Sequence, residues 1–218
     1  MLFAAVCVSL LALAFGAPKP CNCPSKWEGL MGEMIGAEKG GKPWTMQEGA
    51  RLSVSSDDKK IFSMGVANFS TGQSVNMKVL QDFKNHKQYV IIKGKCTVTK
   101  LEGEMMNGVP ANATWIGAFY FGSGVGNSLA VDSWKVKLGG AEEELTTTTK
   151  DCIPIGIVTT GIVNGADVMA TIGMVNVTIG IKDPSVFVVP SICKQVSSEH
   201  PSQQLTGYMK LISHMFRR

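Results

Sequence analysis

Between Arg51 and Ile181 the chain is a succession of short runs in which apolar and polar residues alternate, each stopped by Gly, Asn or Asp. A period of two sends successive side chains to opposite faces of a strand, whereas a helix needs apolar residues three and four apart. The breaks are too short to hold crossover helices, so neighbouring runs pair antiparallel. Arg51–Val54, the polar turn 55–58 and Ile61–Val66 read as a hairpin. Further runs follow at Ser74–Phe83, Gln88–Lys93, Cys96–Leu101, Thr114–Phe121, Leu129–Leu138, Ile153–Val163 and Val168–Ile181. In the last of them Val175, Val177, Ile179 and Ile181 alternate with Asn176, Thr178 and Gly180, which predicts one apolar face and places Asn176 on the wet one. Helical spacing occurs only after Pro201, where Leu205, Tyr208, Met209, Ile212 and Met215 recur at threes and fours. Lys210, His214, Arg217 and Arg218 suit the negative end of that C-terminal helix.

The first sixteen residues are uncharged, apolar from Leu2 to Phe15, and end in small residues at spacing two. They read as a signal peptide over 1–16, too short to span a bilayer, which predicts a secreted chain with one domain over 17–218 and no transmembrane segment. The net charge of +4 is spread along the chain, so no basic stripe supports a nucleic-acid partner. Cys7 leaves with the leader; Cys21, Cys23, Cys96, Cys152 and Cys193 remain for disulfides, an odd number. Asn68, Asn112 and Asn176 each begin a sequon and are candidate glycosylation sites.

Catalytic chemistry finds no foothold. His86, His200 and His214 are scattered, and His86 lies in the polar turn Lys84-Asn85-His86-Lys87. Gly122-Ser123-Gly124-Val125-Gly126 is followed by another strand-like run rather than by the helix a phosphate loop requires. Cys21-x-Cys23 lacks the second close pair of a zinc tetrad. Glu142-Glu143-Glu144 and Asp57-Asp58 lack the spacing of a calcium loop and read as solvated turns. The expectation is a chain that is not an enzyme. Twelve methionines, several on strand-like runs, offer an adaptable apolar lining for a hydrophobic ligand.

Several stretches carry a resemblance: Pro20-Cys21, Pro24 and Trp27-Glu28-Gly29 near the start, Val131-Asp132-Ser133-Trp134, Lys150-Asp151-Cys152-x-Pro154, and GIKDPSVFVVPSIC over 180–193. Together they resemble the ependymin-related proteins, in their secreted, invertebrate-like form. The resemblance implies a mainly β fold, with two antiparallel sheets curved into a half-barrel around an apolar pocket, lipoprotein-carrier-like, plus the C-terminal helix. It implies a secreted glycoprotein that binds a lipid or other hydrophobic molecule, associates with calcium, forms a homodimer and has no catalytic activity. An extracellular-matrix or cell-adhesion role, with matrix components as partners and no lipid cargo, is the alternative. The resemblance also implies the pairings Cys21 with Cys152 and Cys96 with Cys193, leaving Cys23 free or bonded to a second subunit. Trp115, Phe119, Phe121, Trp134 and Met174, on the aromatic and Met-bearing runs, are the candidate pocket walls, and Asp183 is a weak metal candidate. In the 180–193 stretch Asp183-Pro184 should bend the chain and Val186–Val189 should lie along the edge or mouth of the sheet.

Overall fold

The computed structural model describes residues 17–123, 126–163 and 165–194. The leader and the C-terminal helix expected after Pro201 lie outside the described residues. Eleven strands run in order: β1 Lys26–Lys39, β2 Lys42–Ser55, β3 Lys60–Phe69, β4 Ser74–Asp82, β5 Lys87–Ile92, β6 Lys95–Lys100, β7 Thr114–Gly122, β8 Ser128–Leu138, β9 Ala141–Thr148, β10 Pro154–Val163 and β11 Ala166–Ile179. They form one continuous antiparallel sheet ordered β6-β5-β4-β3-β2-β1-β11-β10-β9-β8-β7. The expected mainly antiparallel β architecture is present; its two sheets are halves of this single open one.

Local chemistry explains the hairpins. Gly40 and Gly41 both have positive φ, 60° and 72°, and close β1 onto β2 in a two-residue turn of the hand that matches strand twist. Lys93-Gly94 does the same between β5 and β6, at 48° and 74°. Two strands are additions to the sequence reading. β1 precedes the first recognised run, and β9 contains Glu142-Glu143-Glu144, which is therefore strand and not a solvated turn. Glu143 points inward; Glu142 points outward, with Oε1 2.8 Å from Lys135 Nζ.

Alternation along β1 buries Trp27, Met31, Glu33, Ile35 and Ala37 while Leu30 and Met34 face outward. The matching inner sides of β2–β4 and β8–β11 share one core with it, including Met46, Leu52, Met77, Trp134, Leu145, Ile157 and Ile172. A flat sheet could not bring both halves into one core, so the sheet is curled about its inner face. The edge strands β6 and β7 are consecutive in sequence, and residues 101–113 must cross between them. Leu101 and Val109 of that crossing are buried in the same core, and Val109 N donates to Cys21 O at 2.8 Å.

The alternation expected over Val175–Ile181 breaks. Asn176 takes φ 53°, the register between β1 and β11 shifts between Glu28 and Leu30, and the extra residue reverses the parity: Val175 faces outward beside Leu30, whereas Val177 packs against the core and Ile179 stands across from Trp27. Beyond β11, residues 184–187 and 191–193 form two 3₁₀ turns, and the Val186–Val189 piece expected along the edge or mouth of the sheet packs on its outer face instead. Asp183 accepts from Ser185 N and Pro184 stands at the first helical position, so the bend starts a turn instead of a strand. Phe187 packs with Leu80 and Tyr89 on the outer face of β4 and β5. Lys60 Nζ reaches the Phe187 carbonyl at 3.0 Å and Asp82 at 3.5 Å.

Candidate binding interior

Register across the sheet assembles the inner face into belts that run perpendicular to the strands. One belt reads Ala67, Glu48, Glu33, Ile172, Ile157, Leu145, Trp134, Trp115 from β3 to β7, each residue paired with the next. Beside it run Phe69, Met46, Ile35, Ala170, Thr159, Glu143 and Val136. Three aliphatic residues thus separate a carboxyl pair on β1 and β2 from an indole pair on β7 and β8.

The carboxyls sit in an apolar setting. Glu33 and Glu48 face each other across the β1–β2 pair, 5% and 4% exposed. Burial, reinforced by the charge of Glu48, holds Glu33 well above the usual carboxylate range. Burial also pushes Glu143 from 4.5 up to about 7, against a weak hydrogen bond from Thr159 Oγ1 at 3.5 Å. Asp132 is engaged by Trp115 Nε1 at 3.0 Å. Sequence reasoning passed over Glu33 and Glu48, and read Glu143 as part of a solvated turn. Glu33 shares the parity of Trp27, Met31 and Ile35, so an acid on the apolar side of an alternating run was the available signal.

Of the candidate wall residues, Trp134 and Met174 are buried in the core and Trp115 packs against it. Phe119 and Phe121 are 52% and 56% exposed, beside Val131 and Leu129 on the other side of the β7–β8 hairpin. A bulge between Trp115 and Gly117 flips the parity, which a strict period of two does not anticipate. A separate shallow groove of about 490 Å³ opens on the outer face, lined in part by Met64, Val66, Lys78, Ile91 and Lys93. Asp183 is committed to its turn; hydrogen bonds from Ser185 lower its pKa. No cluster of three or more His, Cys, Asp or Glu able to hold a metal ion occurs among the described residues.

The signature stretches meet in space. Disulfides join Cys21 to Cys152 and Cys96 to Cys193, the pairs implied by the resemblance. Cys23 is free and half-buried, and burial pushes its thiol up to about 11. Trp27-Glu28-Gly29 docks on 180–182: Gly180 N donates to Lys26 O at 2.8 Å, and Lys182 N donates to Glu28 Oε2 at 3.2 Å. At Gly29 a Cβ would stand 3.1 Å from Val177 Cγ2 and 3.2 Å from Val175 O, so the bulged β11 approaches β1 most closely where β1 carries no side chain. Asn68, Asn112 and Asn176 are exposed. No helix among the described residues is long and apolar enough to cross a membrane.

Residues 71–193, more than half of the chain, match the family Ependymin. Among solved structures, an uncharacterized conserved protein from Thermus thermophilus is similar with a TM-score of 0.44 and 11% identity, covering 77% of this chain and 87% of that one. A LolA superfamily protein from Nitrosomonas europaea is similar with a TM-score of 0.34 and 7% identity, covering 76% and 91%. A putative outer membrane lipoprotein-sorting protein domain from Vibrio parahaemolyticus gives 0.32 and 6%, covering 73% and 88%.

Proposed function

The chain belongs to the ependymin family, and from that premise we propose that it is a secreted binding protein, not an enzyme, which takes a lipid or other hydrophobic molecule into the interior of its curled sheet. The observation that carries this reading is the belt of Ile172, Ile157 and Leu145, closed at one end by Trp134 and Trp115 and at the other by two carboxyls. Each methylene moved from water onto such a surface contributes about 0.8 kcal/mol, so an alkyl chain supplies most of its own affinity and few polar anchors suffice. Met31, Met46 and Met174 on the same inner face adapt to chains of different length.

The test is native mass spectrometry of the purified glycoprotein together with uptake of a neutral pyrene-labelled long-chain alcohol. A retained lipid mass, or saturable uptake near one per chain, supports the carrier. A chain that neither retains nor takes up any such molecule overturns it. That outcome favours the matrix or adhesion reading, in which calcium, homodimerisation and glycans on the exposed Asn68, Asn112 and Asn176 do the work.

A further inference from the structure

The inner face holds polar atoms that the protein does not satisfy. Gln81 Oε1, Trp134 Nε1 and Thr147 Oγ1 are buried without a hydrogen-bond partner, and the buried Glu33 carboxyl has none but the facing acid Glu48. Register sets all four residues on the inner side: Glu33 and Trp134 in one belt, Thr147 across from Asp132, and Gln81 across from Ile61. An unpaired buried polar group costs about 1–3 kcal/mol, and native proteins rarely leave one. Their confinement to one face marks a place whose polar partner comes from outside the chain.

The sign of that partner follows from its surroundings. Glu33, Glu48, Asp132 and Glu143 are buried on the inner face, and no Lys, Arg or His is buried among the described residues. Asp132 and Glu143 accept from Trp115 and Thr159, whereas the group across from Glu33 is another acid. A carboxylate head brought here would add like charge to a site of low dielectric. An ammonium head brings three donors and no acceptor, and its charge compensates an ionised glutamate.

We infer that the interior selects a single-chain amphiphile with an ammonium head, its nitrogen held between Glu33 and Glu48 and its alkyl chain lying along Ile172, Ile157 and Leu145 toward Trp134. This rests on the hydrophobic-ligand reading above and names its ligand class. Burial and the facing Glu48 shift Glu33 toward its protonated form in the free protein; where it carries that proton, the ammonium takes its place and the proton leaves to solvent as the Glu33 carboxylate pairs with nitrogen. Surface attraction works the other way, since the chain carries +4 and favours anions at long range.

Calorimetric titration of the full chain with dodecylammonium, dodecanol and dodecanoate near neutral pH, in buffers of different ionisation heat, decides the matter. The expected order is ammonium, then alcohol, then carboxylate, with ammonium about tenfold or more tighter than carboxylate and with net proton release. Glu33→Gln should shrink that preference to about threefold or less. Dodecanoate binding as tightly as dodecylammonium, or a preference that survives Glu33→Gln, overturns the inference. Dodecanol binding would then still uphold the hydrophobic-ligand reading; failure of all three ligands removes both. Should Glu33→Gln not fold, the wild-type order and proton count decide alone.

Discussion

Glu143→Gln isolates the energetic consequence of placing acids on the inner face. Glu143 alternates inward between Ala141 and Leu145 on β9, is 1% exposed, and titrates near 7 in the folded chain against 4.5 for an ordinary glutamate. The unfolded chain loses this proton first, so between those two values the folded state binds more protons. Stability therefore falls as pH rises through the window, and the loss is complete above about 7. At about 1.4 kcal/mol per pH unit of separation, the cost at high pH is at most about 3 kcal/mol. Glutamine keeps the shape and the hydrogen bond from Thr159 but never ionises. Urea unfolding with disulfides intact should find the two proteins equally stable near pH 4. Near pH 8 the variant should be the more stable, by up to about 3 kcal/mol or roughly 1 M in midpoint. Glu33, displaced in the same direction, is present in both proteins and cancels in the comparison. A difference in midpoint that is the same at both pH values would refute the reasoning.

Two glycines of the long strands should respond oppositely to alanine. A Cβ at Gly65 would overlap the Gly49 carbonyl oxygen and lie 2.6 Å from Ala50 Cα, so Gly65→Ala should cost more than about 3 kcal/mol or prevent folding, read as loss of the cooperative urea transition. At Gly32 a Cβ meets nothing within 4 Å, and Gly32→Ala should stabilise by up to about 1 kcal/mol in the same assay. Replacing Cys96 and Cys193 together by serine opens a loop closed across 97 residues. It should cost about 4–5 kcal/mol in urea unfolding, and peptide mapping without reduction should recover both native pairs from the wild type. Iodoacetamide at pH 8 should label Cys23 roughly a hundredfold more slowly than a free thiol; rapid labelling would show that its burial is not maintained in solution.

Period two was legible wherever a strand has one wet side, and the runs from Ser74 to Leu101 and from Leu129 to Leu138 match β4, β5, β6 and β8 closely. β1 was missed because Gly29, Gly32 and Gly36 and the inward Glu33 dilute its apolar alternation, although Gly40-Gly41 between two such runs is a hairpin signal in its own right. β9 was hidden by Glu142-Glu143-Glu144, since three adjacent acids read as solvated unless the middle one is buried by its neighbours. Trp115, Trp134 and Met174 were legible as inward-facing from residue type and run. Phe119 and Phe121 were not placed by it, because a bulge changes parity with no mark in composition. The carboxyl pair depends on register between two strands, and register is fixed by the turn at Gly40-Gly41 rather than by either strand alone.

An open sheet has two edges, and each presents unpaired backbone groups that invite further strands. On the β6 side the edge is tied to its surroundings: Cys96 on β6 is bonded to Cys193, and the second 3₁₀ turn packs against that strand. The first turn, Pro184–Phe187, buries Phe187 against Tyr89 of β5 and Leu80 of β4, one and two strands further in. The other edge, β7, is bent by its bulge, and its hairpin with β8 leaves Phe119, Tyr120, Phe121 and Leu129 exposed. The two signatures near the chain ends therefore have mechanical roles. Glu28 and Gly29 hold the bulged end of β11 and the segment leaving it, while Cys193 fastens that segment over the edge. Their spacing in sequence follows from the path of the chain, because β1 and β11 are neighbours at the centre of the sheet and β6 lies at its rim.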